Sequence, residues 1–109
     1  MINQVIKTKA QAKKVANAMK KDINEMLSIY ESYSVVIEDH DSQFDIMVES
    51  RKSICHILTS SCLESIKKVL AMYRTQYQAI SYHLDVDLWN GEYIPVFVIC
   101  VTWDDKEEK

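Results

Sequence analysis

The stretch DVDLWNGEYIPVFVICVTW, residues 85–103, decides the fold that we expect for this chain. Polar and apolar residues alternate up to Trp89, as in a strand with one buried face. Asn90-Gly91 follows, and this dipeptide is a strong signal for a two-residue hairpin, because a type I′ turn needs positive φ at both central positions. Beyond the turn, residues 94–101 hold no charged side chain. The sequence therefore predicts an antiparallel hairpin whose second strand is apolar on both faces.

A two-residue turn also fixes which residues of the two strands lie opposite each other. Trp89 pairs with Glu92, and each further pair follows by counting away from the turn. The pairs predicted to form a helix-covered core are Leu88–Tyr93, Val86–Pro95, Leu84–Phe97, Tyr82–Ile99 and Ile80–Val101. The pairs predicted on the other face are Asp87–Ile94, Asp85–Val96, His83–Val98 and Ser81–Cys100.

The second face raises the question of what covers its apolar row. A strand that is apolar on both faces is usually buried on both. Two amphipathic helices can cover only one face of a sheet, so another element must cover the second. The alternatives are the N-terminal segment MINQVI, neighbouring long side chains, or a partner chain. The residues predicted to form an interface with a partner are Trp89, Ile94, Val96 and Val98.

Pro95 bears on the same strand because it lacks a backbone N–H. In the predicted register that missing donor points away from Val86 and its strand. The strand of Pro95 is therefore expected to be an edge, at least near this residue, or to carry a bulge there. Proline on an edge blocks edge-to-edge pairing, so contact through the face of the sheet is favoured.

The remaining chain predicts two helices and three further strands. Thr8 and Gln11 have capping-box spacing at the start of a helix over about residues 8–30, and Ser61 and Glu64 repeat that spacing before a second helix. Residues 33–39 and 44–50 read as a hairpin around the turn HDSQ, and residues 54–59 as a short strand. The predicted order is α-β-β-β-α-β-β. We expect a single α+β domain over residues 1–103, with about five antiparallel strands, two helices on one face, and a charged tail over residues 104–109.

Composition limits the classes of function. The 109 residues carry a net charge of −3, and no apolar run reaches the length of a membrane helix. Three cysteines without paired spacing and the lack of a signal-peptide pattern favour a reduced, cytoplasmic chain. Residues 1–21 hold six lysines and no acid, so the first helix is predicted to be a cationic element on an acidic body. The lysines that could make electrostatic contacts are Lys9, Lys13, Lys14, Lys20 and Lys21.

No pattern in the chain predicts a catalytic, metal or cofactor site. Cys55, Cys62 and Cys100 lack the Cys-x-x-Cys spacing of zinc sites, and are expected to be buried apolar residues. Asp85 and Asp87 share a strand face with His83, and such a row is more often solvated than ligand-binding. The segment DHDSQFD begins like a calcium loop but lacks its glycine and its final glutamate.

Function is predicted only as a class. We expect a small non-enzymatic protein-binding module, an inhibitor or an adaptor, that binds a larger protein or a second copy of itself. The element order resembles that of the dimeric type III secretion chaperones, although the last helix usual in that family is absent here; this resemblance implies a dimer that holds a client protein. A third alternative is a nucleic-acid-binding protein that uses the lysine face of the first helix.

Overall fold

The structure of the chain, a computed structural model, describes residues 4–29, 33–50, 60–89 and 91–104. The elements in chain order are α1 (Lys9–Met26), a short 3-10 helix (Leu27–Ile29), β1 (Tyr33–Asp39), β2 (Gln43–Ser50), α2 (Ser60–Gln76), β3 (Ile80–Trp89) and β4 (Glu92–Thr102). The α+β class with two helices is confirmed. A fifth strand was expected over residues 54–59, and these lie outside the described residues.

Both helices begin close to the predicted residues. Thr8 caps α1, and its hydroxyl accepts a hydrogen bond from the N–H of Gln11 at 3.1 Å. The side chain of Gln11 returns the contact by accepting from the N–H of Lys7 at 3.0 Å, so two N–H groups at this helix start are satisfied. α2 begins one residue before Ser61, which had been expected to cap it.

The four described strands form one antiparallel sheet in the order β1-β2-β4-β3. Every predicted pair of the β3–β4 hairpin is confirmed, from Trp89 opposite Glu92 to Ile80 opposite Val101. Gly91 has a φ of 80°, as the predicted turn requires. β4, the second strand of the hairpin, therefore lies between β2 and β3, and β3 is an outer strand of the described sheet.

The prediction for Pro95 depends on where β2 ends. β4 has β2 alongside it over most of its length, so it is not an edge there. The pairing of β2 with β4 ends at Glu49 opposite Val96, one residue short of Pro95. The missing N–H of Pro95 therefore falls where the described sheet requires no donor, and the expected edge is found over residues 92–95 of β4.

The core lies between the helices and one face of the sheet. α1 contacts β1, β2, β4 and α2. The hydroxyl of Tyr73 on α2 donates a hydrogen bond to Asp22 on α1 at 2.5 Å and so ties the two helices together. The fully or nearly fully buried apolar residues come from both helices and all four strands, and include Ala12, Val15, Ala16, Met19, Ile23, Val35, Phe44, Ile46, Val48, Cys62, Ile66, Leu70, Ile80, Phe97, Ile99 and Val101.

The N-terminal segment closes the end of the molecule opposite the β3–β4 turn. Gln4 forms a parallel bridge with Tyr77, and the carbonyl of Ile6 accepts from the N–H of Asp104 at 2.8 Å. Ile6 itself is fully buried. The described part of this segment therefore packs at the ends of α2 and β4, and it leaves the row of Val96 and Val98 to other elements.

Candidate functional site

The most unusual surface of the molecule lies on the outer half of the β3–β4 hairpin. Five large hydrophobic side chains are exposed there on the face of the sheet that carries the helices: Tyr82 (41% exposed), Leu84 (61%), Val86 (62%), Leu88 (60%) and Tyr93 (75%). We call these five residues the arm face. Sequence reasoning placed all of them in the helix-covered core, and that expectation is wrong.

The helices fail to cover the arm face because the hairpin is longer than the rest of the sheet. β3 and β4 form ten residue pairs, whereas β2 and β4 form seven, and the excess lies at the turn end of the hairpin. Near the helices, Ile80, Ile99 and Val101 are buried on the same face. The signal for the overhang was present in the sequence, since residues 44–50 predict a shorter strand than residues 79–89.

A shallow groove leads from the arm face toward α2. It holds about 160 Å³ and is lined by Lys67, Leu70, Ala71, Arg74 and Tyr82. The guanidinium of Arg74 lies 5.9 Å from the centre of the Tyr82 ring, a cation–π distance. On its other side the Tyr82 ring stacks on Phe97, with the ring centres 5.4 Å apart. Tyr82 therefore connects the arm face to the core, and the cationic residues Lys67 and Arg74 of α2 border the arm face.

The row predicted to meet a partner is placed differently. Val96 is 2% exposed and Val98 is 5% exposed, so the expectation that these two side chains are open to a partner is wrong. They form a small cluster with Cys100 and the half-buried Met47. The reason is strand order: β4 has a neighbour on each side, so Val98 lies between Met47 and His83. The side chains of Trp89 and Ile94 lie outside the described part of the structure.

The lysine face of α1 is only partly available for contacts with other molecules. The ammonium group of Lys9 lies 3.3 Å from Asp39 and 5.8 Å from the centre of the Phe44 ring. Lys13, Lys14 and Lys21 are exposed, and Lys20 is half-buried. No contact of these lysines with nucleic acid or protein is tested by the structure, and the electrostatic role stays a prediction.

A second depression, of about 290 Å³, lies on the opposite face of the sheet. Asp45 is at its centre: the Nε2 atom of His40 lies 3.2 Å from one carboxylate oxygen, and the amide of Gln43 donates to the other at 2.7 Å. His40 Nε2 also lies 3.3 Å from a carboxylate oxygen of Glu38. The pairing of Glu38 with Asp45 across β1 and β2 creates this group, which the search for motifs along the sequence missed.

The Glu38, His40 and Asp45 ligand atoms lie within 4.8 Å of one another, so they are the described residues that could approach a divalent cation together. Glu38 and His40 are exposed, however, and the short contacts between these side chains already account for the group at the β1–β2 turn. Exposed acidic groups of this kind are common without a metal, and the geometry defines no catalytic step.

The described thiols are poor nucleophiles. Cys62 and Cys100 are both buried thiols outside any disulfide, in agreement with the sequence prediction, while Cys55 lies outside the described residues. Burial raises the pKa of the Cys100 thiol to about 11, and its hydrogen bond with Asp45 acts in the same direction. Burial also raises the pKa of Cys62. Near neutral pH both therefore stay protonated, which disfavours thiolate chemistry.

Comparison with known proteins gives no identity: no family model, no curated protein and no solved structure matches this chain significantly. Neither described helix combines the length and the apolar character that crossing a membrane requires. The arm face is thus the feature of the described structure from which a function can be argued.

Proposed function

We propose that this chain is a small non-enzymatic protein-binding module, an inhibitor or adaptor, and that it contacts another polypeptide through the arm face. The observation that carries the proposal is the exposure of five large hydrophobic side chains, side by side on one face of one hairpin. Monomeric proteins rarely expose contiguous apolar patches of this kind, and those that do generally use them for binding.

The composition of the arm face supports a protein partner. Its centre holds Leu84, Val86 and Leu88, and a tyrosine stands at each end of the row. Tyrosines are enriched in protein interfaces because they bury a large area and still satisfy one polar group, whereas charged residues are depleted from interface centres. Arg74 and Lys67 stand at the margin, where a polar rim is expected. A surface for nucleic acid would instead place cations at the centre of contact.

Charge also favours protein over nucleic acid. The chain carries a net charge of −3, so a polyanion is repelled by most of its surface. The cationic helix α1 is separate from the arm face, and Lys9 on it is already neutralised in part by Asp39. The expected cytoplasmic location is compatible with the buried, reduced thiols of Cys62 and Cys100 and stays part of the proposal.

A photo-crosslinking amino acid placed at Leu84 tests the proposal in cells that make the protein. The same probe at Met72 serves as the matched control, because Met72 is a similarly exposed hydrophobic residue (54%) on α2, outside the arm face. We expect irradiation to produce one discrete higher-mass adduct with a polypeptide from the Leu84 position and none from Met72. Absence of an adduct at Leu84, or equal labelling at both positions, would contradict the proposal.

A further inference from the structure

Among the described residues, β3 is an outer strand of the sheet, and its outer edge carries a row of backbone groups next to the arm face. In a two-residue hairpin the residues that flank the turn, Trp89 and Glu92, form a hydrogen-bonded pair, and such pairs alternate with non-bonded pairs along the ladder. The even-numbered residues of β3 therefore direct their N–H and C=O groups away from β4. Four of the five arm-face residues are even-numbered residues of β3, so the apolar row and the outward backbone groups coincide.

A hydrogen bond at Val86 supports this orientation. The N–H of Val86 donates to the carboxylate of Asp85 at 2.8 Å. An N–H engaged by its neighbour's side chain points away from the sheet, as the hairpin register requires. Residues 80–89 contain no proline, so β3 lacks the block to edge pairing that Pro95 places in β4.

The sequence of β3 is complementary to itself in one antiparallel register. Opposite residues of two paired strands point to the same side of the sheet. The arm faces of two copies therefore lie on one side only if even-numbered residues pair with even-numbered residues. If Leu84 pairs with Leu84 of a second copy, nine residues of each strand pair, and Asp85 lies opposite His83 twice. A register shifted by one step toward the turn places Asp85 opposite Asp85, which is unfavourable. A shift the other way pairs only seven residues and loses the Asp85–His83 contact.

The same register brings the arm face under the partner's α2. Val86 of one copy lies opposite Tyr82 of the other, and Tyr82 lines the groove beside α2. Leu88 of one copy likewise lies opposite Ile80, which is buried beneath the helices. The antiparallel direction thus carries the uncovered end of each hairpin toward the covered end of its partner.

We infer that the partner of the arm face is a second copy of this chain, joined through antiparallel pairing of β3 with β3 about a two-fold axis at Leu84. This inference rests on the proposed function and names the occupant of the same surface. On pairing, the N–H of Val86 exchanges the Asp85 carboxylate for the carbonyl of the partner's Tyr82. The carboxylate of Asp85 is then available to the partner's His83.

Crosslinking of introduced cysteines tests the proposed β3–β3 register directly. Opposite residues of a hydrogen-bonded antiparallel pair have Cα atoms about 5.5 Å apart, within the range of a disulfide or a very short thiol crosslinker. We expect Leu84→Cys to give a covalent dimer with a methylene-bridged bis-methanethiosulfonate. In the control Val86→Cys, the two thiols lie four residues apart along the strands, ~14 Å, and should not be joined. Wild-type protein, with its native cysteines, gives the background.

Charge exchange across the axis gives a second readout. His83→Asp places an acid opposite Asp85 in both symmetry-related pairs, and we expect the dimer dissociation constant measured by sedimentation to rise about tenfold. The double exchange His83→Asp with Asp85→His again places an acid opposite a histidine in both pairs and should recover most of the affinity. A single variant without effect, or a double variant no better than the single, would overturn the register.

The outcomes separate this inference from the proposed function. A wild-type chain that stays monomeric at millimolar concentration, with no Leu84→Cys crosslink, overturns the homodimer. If the photo-probe at Leu84 then captures a different polypeptide in cells, the proposed protein-binding function stands with another partner. If it captures nothing, both fail.

Discussion

The two ends of the β3–β4 hairpin have the same sequence pattern and opposite surroundings. At the helix end, Ile80, Ile99 and Val101 are buried beneath α1 and α2. At the turn end, Leu84 and Val86 lie on the same face of the same strand as Ile80 and are mostly exposed. Alternation along a strand therefore determines which face a residue occupies, but it does not determine how far the covering layer extends. That difference is what turns part of an ordinary core face into a candidate interface.

The largest effect should come from placing a charge at each end. Val101→Lys buries an ammonium group among apolar residues, and an uncompensated buried charge costs about 3–5 kcal/mol, a large part of the stability of a small domain. We expect this variant to lose cooperative unfolding in a urea titration. Val86→Lys, the same change at the turn end, should unfold within about 0.5 kcal/mol of wild type when both are diluted to monomers. Equal losses for the two variants would show that the hairpin is covered along its whole length.

Removing side chains gives a milder version of the same contrast. Ile99→Ala deletes a fully buried side chain and should lower the free energy of unfolding by about 2–5 kcal/mol. Leu84→Ala deletes a side chain of equal size at the exposed end, and the change should be about 0.5 kcal/mol or less in the isolated monomer. A loss above 2 kcal/mol for Leu84→Ala would place this residue in the core, as the sequence alone had suggested.

Alkaline pH tests the buried cluster on the other face. The pKa of Cys100 is about 11 in the folded chain and returns to its ordinary value of 9.0 on unfolding. The folded state therefore holds its proton more tightly, and this contribution to stability is complete below pH 9 and is lost as the pH rises toward 11. Urea midpoints should fall over that interval, and less so in Cys100→Ala. A midpoint independent of pH in the wild type would show that Cys100 is solvated.

The smallest effect concerns the connection between α2 and β3. Ala79 has a φ of 68°, in the left-handed region, and its carbonyl accepts from the N–H of Thr102 at 3.1 Å. That conformation costs a residue with a Cβ about 1–2 kcal/mol. Glycine adopts it without this cost but makes the unfolded chain more flexible. We expect Ala79→Gly to raise the free energy of unfolding by about 0.5 kcal/mol. A decrease would mean that the Cβ of Ala79 makes a packing contact that stabilises the fold by more than the left-handed conformation costs.

Local sequence patterns predicted the helices, the strands and the hairpin register well. The exposure of the candidate site could not be predicted in this way, because it depends on the arrangement of segments that are distant in the chain. The Asn90-Gly91 turn fixed every pair of β3 and β4 correctly, because a two-residue turn leaves one register. The predicted faces are correct, but the predicted exposure of Val98 and the predicted burial of Leu84 are wrong for one reason. Whether β4 lies inside the sheet, and where α2 ends over β3, depend on packing between distant segments, which periodicity along one strand does not contain. Val98 is buried because Met47 is its neighbour, and residue 47 is 51 positions away in the chain.

The most direct test of the account combines folding and contact in one variant. A photo-crosslinking residue replaces Tyr93, at the end of the arm face, and Leu84→Lys is added to it. We predict that the probe alone forms a polypeptide adduct, and that Leu84→Lys abolishes the adduct while leaving the urea midpoint of the dilute monomer unchanged. An adduct that survives Leu84→Lys would show that the arm face does not make the contact. A collapse of the midpoint would show instead that Leu84 belongs to the core.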